Sequence, residues 1–388
     1  MNDHRKTIQT LFASNLVLAF GFQIWRAVFN NLADGMGLEA GAVGAVQSIR
    51  EVPGLMGFLF VIMVALLGSE MRVMGANVLL LGVGLVFAGM APNLPSLILG
   101  TLVTSVGFHY FYSGSQAVLL QVTAQDDTPQ ALGRLSSVGA LAAVLATASV
   151  AGAALVLSDR LILTLGGCLV IAAGLVLLPR MNVARRYERQ DRPARESARR
   201  EYWLYYALSF LMGLRRHIFT TFAIFLLVRV HDLETSQTAL LLLVNSVINF
   251  FLMPQLGQLV ARFGERRMLT LNFFFLIGIF LGYATIHTTW ILVMLFILDN
   301  IFFGFSLALS SYFQKISVTP QDIMPNMSLG QSINHIAAVT IPIVGGWMWD
   351  TFDPAMPFLT GAVVAVISLI LVNWMRVPQR EAAGVVVG

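Results

Sequence analysis

Between Arg180 and Glu201 the chain reads RMNVARRYERQDRPARESARRE, with eight arginines and no apolar face at helical or strand spacing. It is the widest polar gap in the sequence and reads as a solvated linker. Working outward from it, apolar runs bounded by charged or Pro/Gly/Asn clusters number six on each side. They lie near 8–31, 41–67, 73–91, 96–120, 133–157 and 161–179 before the gap. After it they lie near 202–228, 236–260, 268–286, 290–314, 327–348 and 356–375. One bilayer crossing takes about 20 apolar residues. The expected fold is therefore all-α and integral to a membrane: twelve transmembrane helices in two six-helix bundles, 1–179 and 202–388, joined by the basic linker 180–201.

Composition narrows the function. Of 388 residues, 57% are hydrophobic and 11% charged, with a mean hydropathy of +0.77. Soluble domains carry about a quarter charged residues, so a soluble, disordered or fibrous protein is excluded. The single cysteine, Cys168, forms no intramolecular disulfide. Two lysines, Lys6 and Lys315, leave no phosphate-binding loop, and no two of the six histidines stand four apart as a zinc-peptidase helix requires. No nucleophile–base pair or metal-ligand set is spaced for catalysis. The expectation is a non-enzyme without cofactor or metal. The first apolar run follows MNDHRK, is too long for a secretory h-region and lacks a small-residue cleavage site, so it reads as a retained helix.

The basic residues orient the chain. With the N-terminus inside, 18 of the 24 lysines and arginines fall on the cytoplasmic side and only Arg160 and Arg229 on the other. Both termini are expected to be cytoplasmic, in a plasma membrane of the bacterial inner-membrane kind. The pI of 9.5 is then mostly a topology signal, and no nucleic-acid partner is expected.

The halves repeat. Arg26-Ala27-Val28-Phe29-Asn30-Asn31 parallels Arg216-His217-Ile218-Phe219-Thr220-Thr221, and Gln47-Ser48-Ile49 parallels Asn245-Ser246-Val247. Further on, Ser137 to Val144 parallels Ser332 to Val339, and each of those spans runs into an aspartate, Asp159 or Asp353. Agreement in order along the chain points to duplication of a six-helix unit. Near the seventh-to-ninth spans stands Gly257-Gln258-Leu259-Val260-Ala261-Arg262-Phe263-Gly264-Glu265-Arg266-Arg267. With twelve spans, a 6 + 6 repeat and this loop, the chain resembles the major facilitator superfamily, whose G-x-L-x-D-R-x-G-x-R motif joins the second and third spans of a half. The resemblance implies alternating access about a midplane site, with Gly257, Arg262, Gly264, Arg266 and Arg267 as gating-motif residues. Ala261 stands where the family has Asp, and the first-half loop Gly68 to Arg72 is too short to match.

Six formal charges lie inside the spans: Arg26, Arg50, Glu51, Arg215, Arg216 and Asp299. Each costs at least about 2.5–3.5 kcal/mol at a helix centre, so each must face a cavity or a partner. The excess of arginine points to an anionic substrate held by guanidinium forks. Repeat symmetry places Arg26 and Arg216 on opposite sides of one ligand, with Arg50, His109, His335 and Asn245 as further substrate-binding candidates. The arginine pair with a nearby histidine is similar to the organophosphate:phosphate exchanger branch of the superfamily. Internal pairing is the competing assignment, Arg50 or Arg26 with Glu51 and Arg215 with Asp299. Glu51 and Asp299 are the candidate proton carriers, because a carboxylate whose arginine neighbour moves can load and release a proton. Neighbouring helical residues point about 100° apart, so Arg215, Arg216 and His217 do not share one cavity. Gln23, Asn30, Asn249 and Gln331 are further polar candidates. Phe273 to Phe275 and Ile301 to Phe303 read as lipid-facing or packing surface. Pro53-Gly54, Pro254 and Pro342 with Gly345-Gly346 mark bending points. The chain is expected to be a monomeric secondary transporter of a small organic anion, driven by protons or exchange. A proton-coupled exporter of amphipathic drugs or lipid-like compounds is the alternative.

Overall fold

The computed structural model describes residues 2–56, 58–122, 128–181, 200–318 and 320–376. Among these, fourteen α-helices build twelve spans. In chain order they are α1 (Asn2–Gly35), α2 (Ala40–Leu55), α3 (Phe58–Leu67), α4 (Glu70–Gly89), α5 (Leu94–Val122), α6 (Thr128–Ala153) and α7 (Asp159–Met181). The second half has α8 (Trp203–Arg229), α9 (Thr235–Phe263), α10 (Glu265–Thr285), α11 (Thr289–Phe303), α12 (Leu307–Ile316), α13 (Pro320–Thr351) and α14 (Met356–Val372). Two spans are interrupted. The second is α2 plus α3, and the tenth is α11 plus α12 joined by a 3₁₀ turn, Gly304–Ser306. Eight helical segments are long and apolar enough to cross a bilayer alone. Large apolar side chains such as Leu66, Val176 and Leu155 stay over 70% exposed, which suits lipid rather than water. The linker 182–199 lies outside the described residues.

The interruption after α2 has a local cause. Pro53 lacks an N–H and removes a turn of the hydrogen-bond ladder, and Met56 closes the helix through its N–H to Pro53 and Val52. By contrast α13 runs unbroken through Pro342, and α9 is continuous over the stretch holding Pro254. Only the first of the three expected bending points breaks its helix.

The two halves pack alike. In the first, α1 lies on α6 and α7, and α4 on α7; in the second, α8 lies on α13 and α14, and α10 on α14. Between halves, α2 runs along α13 and α6 along α9. Glycine allows the first contact: a Cβ on Gly44 would overlap the Pro342 carbonyl, and one on Gly346 would sit 2.5 Å from the Ala40 carbonyl.

The twelve-span path brings the described chain ends to one face of the bundle. The opposite face is tied across the halves. Arg229 pairs with Asp34 at 2.8 Å, the Asn31 amide donates to the Leu233 carbonyl at 2.7 Å, and Thr235 donates to Asp159 at 2.5 Å. Glu39, the residue before α2, makes no side-chain cap. Asp350 of the other half caps α2 instead, accepting from the N–H groups of Ala40 (3.1 Å) and Gly41 (2.6 Å). A carboxylate at a helix N-terminus satisfies open donors and opposes the positive helix end. Asp353, the repeat counterpart of Asp159, lies past the end of α13 and accepts from the Ala355 N–H.

Each of these contacts is worth about 1 kcal/mol or less, so the seal is reversible by design of its parts. Asp350→Ala is expected to weaken it by about 1 kcal/mol and raise the open population at this face about fivefold. Spin labels at Gly35→Cys and Phe352→Cys, in a Cys168→Ser background, report the distance; an unchanged distribution would remove Asp350 from the seal.

Candidate functional site

Beneath the seal, between the halves, lies a cavity of about 610 Å³. Its walls come from α1, α2 and α5 on one side and from α8, α9, α12, α13 and the α11–α12 junction on the other. Both interrupted spans border it. The break after Pro53 and the turn at Gly304–Ser306 set Gly54, Phe303 and Ser306 in the lining, as irregular backbone within a membrane is tolerated where it faces a cavity.

The six intramembrane charges separate into three groups. Arg215 and Asp299 pair at 3.4 Å, both nearly fully buried, outside the cavity lining. This joins α8 to α11. Arg50 pairs with the neighbouring Glu51 through Oε1 and lies over the Trp25 ring at 5.0 Å. Arg26 and Arg216 form no ion pair among the described residues. Arg26 reaches only the Gln23 amide oxygen at 3.3 Å, and Arg216 lies over the Phe303 ring at 5.0 Å. Both sit deep in the bundle yet stay exposed, through the cavity, and within electrostatic range of each other. The two come from equivalent positions of α1 and α8, one in each half.

Glu51 is the centre of a second cluster. Its Oε2 lies 3.2 Å from His335 Nδ1, on the other half, and 3.6 Å from His109 Nε2. The network assigns the His109 tautomer. Ser105 donates its hydroxyl hydrogen to the Arg50 carbonyl, while His109 Nδ1 is 3.0 Å from both the Ser105 carbonyl and its hydroxyl oxygen. Both neighbours of Nδ1 are acceptors, so Nδ1 carries hydrogen and Nε2 faces the carboxylate. With neutral His109 two lone pairs oppose each other there, and one added proton turns the contact into an ion pair. Ligand atoms of Glu51, His109 and His335 lie within 4.8 Å of one another, close enough for a metal ion. Arg50 already holds the carboxylate, and Arg216 is within electrostatic range. That surplus of positive charge opposes a divalent cation more strongly than a single proton.

Of the residues singled out by sequence, the structure gathers Arg26, Arg50, Glu51, His109, Arg216 and His335 around one cavity. Asn30 lines it too. Asp299 does not, and neither does Asn245, which is buried on α9 with no partner for its amide among the described residues. Asn249 bonds Asn300 at 2.9 Å within the second half. Gln331 and Gly257 fall on α13 and α9, with surroundings outside the described residues. Arg215, Arg216 and His217 do not all share the cavity: His217 lines it beside Arg216, its Nε2 3.3 Å from Asn334, while Arg215 lies outside the lining. One expectation needs correction. Phe303 is cavity wall rather than lipid surface, whereas Phe274 and Phe275 are 62% and 47% exposed.

The gating-motif loop is compact. Gly264 turns at φ +83° between α9 and α10, a conformation that favours glycine. Arg262 stacks on Phe263 at 5.3 Å and Arg266 reaches Asn373 at 3.5 Å. Beside the turn Glu265, 2% exposed, pairs with Lys315 at 2.5 Å and accepts from Ser311 at 2.7 Å within the second half.

Twelve spans, a two-half repeat and a charged cavity at mid-depth now stand together, and residues 11–326 match the Major Facilitator Superfamily model. The chain belongs to this superfamily. It is a multi-pass membrane transporter and not an enzyme. Solved superfamily structures share the fold. The nucleoside transporter NupG aligns at 15% identity and TM-score 0.77 over 97% of this chain and 99% of its own. A bacterial homolog of the human lysosomal transporter Spinster aligns at 15% and 0.74 over 95% of each chain. The peptide transporter POT aligns at 14% and 0.73 over 95% and 93%. No curated protein sequence matches significantly.

The Arg215–Asp299 pair offers a clean test of its role. Losing one partner leaves a buried charge and costs about 3–5 kcal/mol, whereas replacing both with apolar groups is often near neutral. Arg215→Met is expected to lower the melting temperature of the purified protein sharply, and Arg215→Met with Asp299→Leu to restore most of it. A double variant as unstable as the single one would show that the pair is not the main partner of either residue.

Proposed function

We propose that this superfamily member moves a small organic anion by rocking its two halves about the central cavity. The observation that carries the reading is the Arg26–Arg216 pair: two guanidinium groups from opposite halves, exposed to one cavity and without a carboxylate partner among the described residues. An anion between them offsets charge that the surrounding hydrocarbon disfavours and gives each half a contact with the same ligand. Arg50 is spent on Glu51 and serves as its counter-charge. The drug-exporter alternative has its arginines mostly paired internally, and Arg50 and Arg215 are so paired; the unpaired Arg26 and Arg216 favour the anion.

Glu51 is the proton carrier in this reading. Its contact with His335 crosses between halves, while those with Arg50 and His109 stay within one half. Rocking therefore changes its partners, and the proton has a defined place between Glu51 Oε2 and His109 Nε2. Asp299, locked to Arg215 inside one half, keeps the same partner throughout and serves to hold α8 and α11 together. The excess of basic residues at the face of the chain ends makes that face cytoplasmic, as in a bacterial inner membrane. The sealed face is then external and the state shown is inward-facing. The transporter acts as a monomer.

Arg26→Gln and Arg216→Gln should each abolish thermal stabilisation of the purified protein by anionic ligands. Normal stabilisation of both variants would end the central-pair assignment. In proteoliposomes, uptake by the unmodified protein should respond to a pH gradient and Glu51→Gln should remove that response while leaving ligand binding. A response undiminished in Glu51→Gln would exclude Glu51 as the carrier.

A further inference from the structure

We propose that the anion carried here is aromatic, a flat ring bearing the anionic group and hydrogen-bonding substituents. The ring faces the first half and its polar edge faces the second. This inference rests on the anion reading above and names the class of substrate within it.

The two walls of the cavity differ in chemistry. Among the described residues, the first half lines it with the rings of Phe22, Trp25, Phe108, Tyr110 and Tyr112, beside the amides of Asn30 and Gln47, and with no serine or threonine. Four of those rings form one column of nearly parallel planes. Trp25 and Phe22 lie 6.2 Å apart at 14°, Phe22 and Phe108 3.8 Å apart at 13°, and Phe108 and Tyr112 6.1 Å apart at 16°. Inside a packed core such a column would be closed at both ends. Here Tyr112 ends it at 50% exposure. An open-ended ring column takes a further flat ring by offset stacking, which an aliphatic body of equal size does not reproduce.

The second half answers with hydroxyl and amide groups: Ser209, Thr220, Ser306, Ser310 and Asn334 line the opposite wall. These groups donate and accept hydrogen bonds and so recognise the edge of a substituted ring. Tyr205 and Phe303 are the rings on this side, and Phe303 lies beneath the Arg216 guanidinium. Arg26 belongs to the ring wall and Arg216 to the hydroxyl wall, so the anionic group sits where the walls meet. The volume of about 610 Å³ lies within the common range of about 300–1,000 Å³ for small-molecule sites. It leaves room for a ring and its substituents beside the arginines, more than an inorganic anion fills.

Binding of 4-hydroxybenzoate, cyclohexanecarboxylate and inorganic phosphate to the full-length purified protein separates the possibilities. The aromatic acid should bind about three- to tenfold more tightly than the saturated ring of the same charge. Tyr112→Ala should bring that ratio close to one, Tyr112→Phe should keep it, and both variants should still bind cyclohexanecarboxylate. Equal affinity of the two carboxylates, or a ratio unmoved by Tyr112→Ala, overturns the aromatic assignment and leaves the anion reading standing. If none of the three anions binds the unmodified protein, the anion reading falls and this inference with it.

Discussion

A guanidinium cannot be left in hydrocarbon, and much of this molecule is arranged around that constraint. Four arginines sit within spans where each costs at least about 2.5–3.5 kcal/mol without a partner or water. Arg215 meets it with Asp299 and Arg50 with Glu51 and the Trp25 ring. Arg26 and Arg216 meet it with open space. The cavity is thus a consequence of the charges as much as a place for substrate.

The same economy governs the contact between halves. The close α2–α13 approach depends on glycine, since a Cβ at Gly44 or Gly346 would strike backbone. Around it the seal uses partly exposed, weak contacts: an ion pair with side chains 42% and 31% exposed, two amide bonds to Asp350, one hydroxyl to Asp159. Contacts of this strength hold one face shut without making that state a trap. Glu51–His335 is the deeper cross-half contact, and it joins the seal to the chemistry of the cavity.

Alternation and charge counting reached the fold because a membrane span is a local property: each apolar run is long enough to be read alone. The repeat reached Arg26 and Arg216 because symmetry carries position from one half to the other. It matched Asp159 with Asp353 but gave no sign of Asp350, which caps α2 from the other half. It also could not find Ser105, whose only mark in sequence is a serine four residues before His109, nor the ring column, whose members lie on α1 and α5.

By itself the sequence determined the number of spans, the two-half plan, the presence of charge at mid-depth and the pair of arginines that symmetry relates. Tertiary structure alone decided which arginines are paired, since pairing depends on which helix faces meet. It likewise decided that Asp299 meets Arg215 outside the cavity lining, that Glu51 is shared between halves, and that Phe303 faces the cavity. Periodicity tells which residues share a face of one helix; only the packing of twelve spans tells what that face meets.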